Sequence, residues 1–163
     1  MSKDSLFRAS ELLDMAVQIE YQGLEFYRAC VAAQTDPEAK EVFQYLSDQE
    51  REHAGVFSQM KAQLKDDYTL PESYPGEMQH YMDTFVKGKV FEGSEHAERR
   101  GSEIADPVEA VDFGLEIEKA SILFYSGMKE YVRSSEVQDI DRIIAEEQQH
   151  VKRLLALRKD VEG

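Results

Sequence analysis

Glu50-Arg51-Glu52-His53 and Glu147-Gln148-Gln149-His150 are two copies of one pattern, Glu-x-x-His, set 97 positions apart. Each is preceded about thirty residues upstream by another Glu, Glu20 and Glu118, and these two lie 98 positions apart. In an α-helix, residues three apart point the same way, so each Glu and its His share one face. The surrounding residues show which face. Phe43, Leu46, Glu50, His53, Phe57, Met60 and Leu64 fall on one helical stripe, and Ile140, Ile143, Glu147, His150 and Leu154 on another.

The two upstream Glu residues sit in stripes of the same kind. Leu13, Ala16, Glu20, Gly23, Tyr27 and Cys30 form one; Val111, Leu115, Glu118, Ile122 and Tyr125 form the other. Glu116 competes with Glu118 but lies about 160° away around the helix. Four amphipathic helices are therefore expected. Asp36-Pro37 and Asp106-Pro107 mark two of the starts, with Glu109 completing a capping box at the second. Ser134-Ser135 marks another start, with Gln138 at its box position.

Short connections make each consecutive pair an antiparallel hairpin. The expected fold is all-α, a four-helix bundle in one domain spanning 1–163. One hairpin covers about 10–65 and the other about 106–160. Residues 66–105, broken by Pro71, Pro75, Gly76, Gly88, Gly93 and Gly101, read as a long crossover. Its apolar patches at Tyr81–Val86 and Val90-Phe91 point to a brief helix or packed segment, because a structureless loop of that length is rare in a compact domain.

Composition narrows the function classes. The formal net charge is −14, from 33 acidic and 19 basic residues, which opposes binding to nucleic acid and to anionic membranes. No segment is apolar enough to span a bilayer, and Met1–Val17 contains no uninterrupted apolar stretch of leader length. The chain reads as cytoplasmic. The single cysteine, Cys30, excludes an internal disulfide and a thiolate zinc or rubredoxin site, and its stripe position reads as core filling.

Burying a charged carboxylate costs several kcal/mol, roughly, unless it is compensated, and these stripes carry no Lys or Arg near the four Glu residues. Two divalent cations would balance four carboxylates. Glu20, Glu50, His53, Glu118, Glu147 and His150 thus form the ligand set of a dinuclear metal centre. Oxygen and nitrogen donors without thiolate favour iron or manganese, and zinc could substitute without redox chemistry. Tyr27 and Tyr125, each two turns beyond a ligand Glu, are placed to donate hydrogen bonds to ligating carboxylates. Glu77-Met78-Gln79-His80 also satisfies Glu-x-x-His, but it lies in the crossover without an upstream Glu partner and is not expected to bind metal. His96 has no comparable pattern.

The combination of Gln18-Ile19-Glu20 with Phe26-Tyr27, Asp48-Gln49-Glu50-Arg51-Glu52-His53, Ile117-Glu118-Lys119 with Phe124-Tyr125, and Glu146-Glu147-Gln148-Gln149-His150 resembles the rubrerythrin-like branch of the ferritin-like diiron proteins. The resemblance implies a bundle with a left-handed crossover, two iron ions and a homodimer. It also implies that Glu50 and Glu147 bridge the irons, that Glu20 and Glu118 are terminal ligands, and that one His serves each iron. Peroxide or dioxygen would be the oxidant. Without a rubredoxin module, electrons would come from an external donor such as a rubredoxin-type protein. Where many rubrerythrins carry an extra Glu one turn along the third long helix, this chain has Ala120-Ser121. The leading expectation is a diiron oxidoreductase. The alternatives are a ferroxidase that stores or passes on iron, and a metal-free helical interaction module.

Overall fold

The computed structural model describes residues 7–88 and 90–163 as six helices: α1 Ala9–Ala33, α2 Pro37–Ala62, α3 Glu77–Gly88, α4 Ser94–Glu103, α5 Pro107–Met128 and α6 Ser134–Glu162. The N-terminal part of the leader reading, residues 1–6, lies outside the described residues. Among the described residues, no helix is long and apolar enough to cross a membrane.

The four long helices form the bundle, and its core is divided. Phe26, Phe43, Val111 and Leu154 belong to one apolar cluster. Leu13, Phe57, Phe124 and Ile143 belong to the other. Early α1 packs with late α2 and late α1 with early α2, so the first hairpin is antiparallel; α5 and α6 show the same exchange. Between the clusters, each long helix contributes polar residues to a single layer: Glu20 from α1, Glu50 and His53 from α2, Glu118 from α5, and Glu147 and His150 from α6. The fold holds this layer dry with an apolar block on either side.

Local chemistry starts the helices, with some departures from expectation. Asp36 accepts from the Ala39 N–H at 2.8 Å, with Pro37 supplying the first helical residue of α2. Asp106 instead accepts from the Val108 N–H at 3.1 Å. Glu109 does not close a capping box there; its carboxylate takes Arg100 Nη2 at 3.2 Å. The α6 start also differs. The N-cap is Arg133, whose N–H donates to Glu136 at 3.1 Å, so Gln138 has no capping role. Glu136 is held as well by the Tyr68 hydroxyl at 2.7 Å, a contact 68 residues away that selects this start over Ser135.

The crossover contains two helices where the sequence pattern indicated one. α4 lies against α1, yet only Ala97 and Gly101 on it are buried. It docks by small residues and backbone proximity rather than by an apolar stripe. A Cβ on Gly101 would come 2.5 Å from the Phe26 carbonyl oxygen and 2.9 Å from Ala29 Cβ. Gly101→Ala should therefore lower stability by about 1–3 kcal/mol through overpacking. Gly55→Ala, in an exposed helical position with open space around it, should raise stability by about 0.5–1 kcal/mol. Urea unfolding of the two variants side by side tests the opposite signs.

Candidate metal centre

The polar layer brings all six singled-out residues together. Donor atoms of Glu20, Glu50, His53 and Glu147 lie within 4.8 Å of one another, and so do donor atoms of Glu50, Glu118, Glu147 and His150. The two groups share Glu50 and Glu147. The helical repeat accounts for this, since each hairpin contributes one upstream Glu and one Glu-x-x-His to the same level of the bundle.

The tyrosines act crosswise. The Tyr27 hydroxyl on α1 donates to Glu118 Oε1 on α5 at 2.6 Å. The Tyr125 hydroxyl on α5 donates to Glu20 Oε1 on α1. Each hydroxyl fixes the outer oxygen of the opposite hairpin's Glu. The other oxygens, Glu20 Oε2 and Glu118 Oε2, have no hydrogen-bond partner, and neither does Glu50 Oε1. Buried polar atoms are rarely left unpaired. Free carboxylate oxygens converging with imidazole nitrogens are a donor set that fits two cations.

The imidazoles are stacked, 5.5 Å between centroids, and both present Nδ1 to the cluster. His53 Nδ1 is 3.0 Å from Glu147 Oε1, and His150 Nδ1 is 3.1 Å from Glu147 Oε2. Their outward nitrogens differ. His53 Nε2 pairs with the part-exposed Glu146 carboxylate at 2.7 Å, whereas His150 Nε2 has no partner. In the repeated register, Gln49 stands where Glu146 stands in the other copy. The His53–Glu146 contact was not apparent in the sequence, because it depends on how α2 and α6 pair.

Among the described residues no Lys or Arg is buried, so the cluster balances its charge with protons. Burial, reinforced by the neighbouring carboxylates, pushes Glu50 and Glu147 well above the usual carboxylate range. Burial also works to raise Glu20 and Glu118, but the neighbouring groups outweigh it and hold both low: Glu50, His53 and Tyr125 for Glu20; Glu147, His150 and Tyr27 for Glu118. Burial disfavours the charged form of His53, yet Glu147 and Glu20 raise it to about 11. Burial and the adjacent carboxylates raise Tyr27 and Tyr125, which keeps both as donors.

The discounted groups lie elsewhere. Glu77 accepts the Ser73 N–H at 2.7 Å at the start of α3, and His80 is exposed. His96 accepts the Glu92 N–H at 3.0 Å and meets the edge of Phe91. Glu116 is exposed beside Lys119. Cys30 is buried in an apolar cluster, which pushes its thiol to about 12.

Bundle and layer together define a ferritin-like fold around a dinuclear carboxylate–histidine site. The chain belongs to the rubrerythrin family, whose sequence profile matches residues 11–158. It is similar to a crystal structure from Thermotoga maritima, provisionally assigned as a ferritin-like diiron-carboxylate protein. The two share 27% identity over 94% of this chain and 96% of that one, with a TM-score of 0.71. No curated protein sequence matches this chain.

Proposed function

We propose that this protein is a non-haem diiron oxidoreductase of rubrerythrin type. It reduces peroxide with electrons from an external donor, or oxidises ferrous iron with peroxide or dioxygen. The observation that carries this reading is the sharing of Glu50 and Glu147 between the two donor clusters. These two residues would bridge the ions. Glu20 and His53 would complete one coordination sphere, and Glu118 and His150 the other. Bound iron would supply one-electron redox chemistry at each position. Tyr125 and Tyr27 hold the terminal carboxylates in place, and the flanking apolar clusters keep water away.

Anaerobic ferrous titration should saturate at about two ions per chain, and saturation at one would remove the dinuclear reading. Peroxide should then oxidise the diferrous protein faster than dioxygen does, with near-ultraviolet charge-transfer absorption growing in stopped flow. Ser121, one turn beyond Glu118, carries a second reading, because the site then has six ligands and no carboxylate at that next turn of α5. Such a symmetric site suits a ferroxidase, and faster oxidation by dioxygen at equal oxidant concentration would select it.

The unequal support of the histidines predicts unequal ions. A carboxylate behind a ligating imidazole orients it and raises its basicity, and loss of such a partner costs roughly 10–100-fold in metal affinity. Glu146→Gln should weaken one of two Co(II) binding steps by about that factor in calorimetric titration. Gln49→Glu should tighten the other.

A further inference from the structure

A cavity of about 270 Å³ lies between α1 and α5 beside the carboxylate layer. Met15, Ile19, Phe85, Phe91 and Ile117 give it apolar walls, and Gln18 and Gln22 stand among them as neutral polar groups. Asp14, also in its lining, has its charge taken by Lys61 at 2.7 Å. At the helix positions one turn past Glu20 and Glu118 stand Gly23 and Ser121, which correspond in the repeat and both border the cavity. The Ser121 hydroxyl is turned away, donating to the Ile117 carbonyl of its own helix at 3.0 Å.

Gly23 is the thin wall. Glu50 Oε1 and Cδ lie 3.1 Å from where its Cβ would stand. Glu50 Oε1 is also one of the buried oxygens without a hydrogen-bond partner. The cavity therefore ends against the carboxylate that the two donor clusters share, with only a glycine between them. Its walls offer hydrogen peroxide little to bond with. A hydrocarbon group would fit these walls, which are open to solvent on one side, since covering apolar surface gains about 25 cal/mol per Å².

We propose that this cavity binds the hydrocarbon group of an organic hydroperoxide, ROOH, and presents the O–O end to the metal centre past Gly23. The proposal rests on the peroxide-reducing reading above and names its substrate class. In the reaction the O–O bond breaks, two electrons from the external donor and two protons are taken up, and ROH and water leave. The apolar walls hold R, and at Gly23 no side chain stands between the pocket and Glu50, so a shift of the Glu50 carboxylate is enough to admit the oxygens.

The test uses iron-loaded protein, kept turning over by a reduced rubredoxin-type protein as electron donor, with cumene hydroperoxide, hydrogen peroxide and the unreactive product alcohol, 2-phenyl-2-propanol. The expected result is a kcat/KM at least tenfold higher for cumene hydroperoxide. Calorimetric binding of the alcohol should be lost in Ala120→Phe, which fills the cavity wall. The same variant should cut the ratio of the two kcat/KM values about tenfold. Alcohol binding to the unaltered protein stands as evidence even if that variant fails to fold. Equal use of both peroxides with no alcohol binding overturns the cavity assignment and leaves peroxide reduction intact. Alcohol binding without turnover of any peroxide overturns the peroxide reading, and this substrate assignment with it. A dimer that dissociates in Ala120→Phe, with no alcohol bound to the unaltered protein, overturns the proposal in favour of a second copy of the chain.

Discussion

Loading the metal-free protein with two ferrous or Co(II) ions should raise its melting temperature by roughly 15–30 °C. Each ion present at a thousandfold excess over its Kd contributes about 4 kcal/mol. For a chain of this size each kcal/mol shifts the midpoint by about 2–4 °C. Binding should also release protons, because in the metal-free layer burial and neighbouring carboxylates push Glu50 and Glu147 well above the usual carboxylate range, and Glu147 and Glu20 raise His53 to about 11. Metal ligands must be deprotonated, so uptake and proton release are linked. A dye in weakly buffered solution reads the protons, and calorimetry reads the midpoint. Tight binding without proton release would mean that the layer does not balance its charge in this way. No binding and no shift would leave the metal-free interaction module standing.

The six candidate ligands were legible in the sequence because each sits in an apolar stripe at a repeated register, and a buried charge in such a stripe has to be explained. Tyr27 and Tyr125 were legible as donors, but not their crosswise pairing, because periodicity gives the face of a helix and not its partner. The same limit concealed the contact of Glu146 with His53. α4 escaped for a different reason. Its sequence, Ser94-Glu95-His96-Ala97-Glu98-Arg99-Arg100, is rich in helix formers, but the face it buries is made of Ala97 and Gly101. Close packing by small residues leaves no hydrophobic stripe to read. Helix starts followed the same division. Asp36 caps through its own side chain, as its sequence position implies. The α6 start is fixed by Glu136 and a tyrosine brought from the crossover.

Glu50→Gln should abolish tight binding of both ions while leaving the metal-free protein at least as stable as before. Glu50 belongs to both donor clusters, whereas Glu20 and Glu118 each belong to one. An amide keeps the shape and can donate to Glu20, but it carries no charge and cannot bridge two cations. Affinity should fall at least about 100-fold at each position, beyond the cost of losing an outer partner. Glu20→Gln should cost chiefly one ion. Stability moves the other way because burial and neighbouring carboxylates raise the folded pKa of Glu50 above its ordinary 4.5. The folded chain then holds a proton that the unfolded chain has released. That contribution is complete below pH 4.5 and is lost as pH rises through the folded value. His53, raised from 6.5 to about 11, adds a loss of the same sign across that interval. The metal-free protein should therefore weaken towards alkaline pH, and Glu50→Gln should flatten the fall by removing one of the held protons. Metal analysis after dialysis, with urea unfolding across a pH series, reads both effects. A variant that keeps one tightly bound ion would show that Glu50 serves a single position.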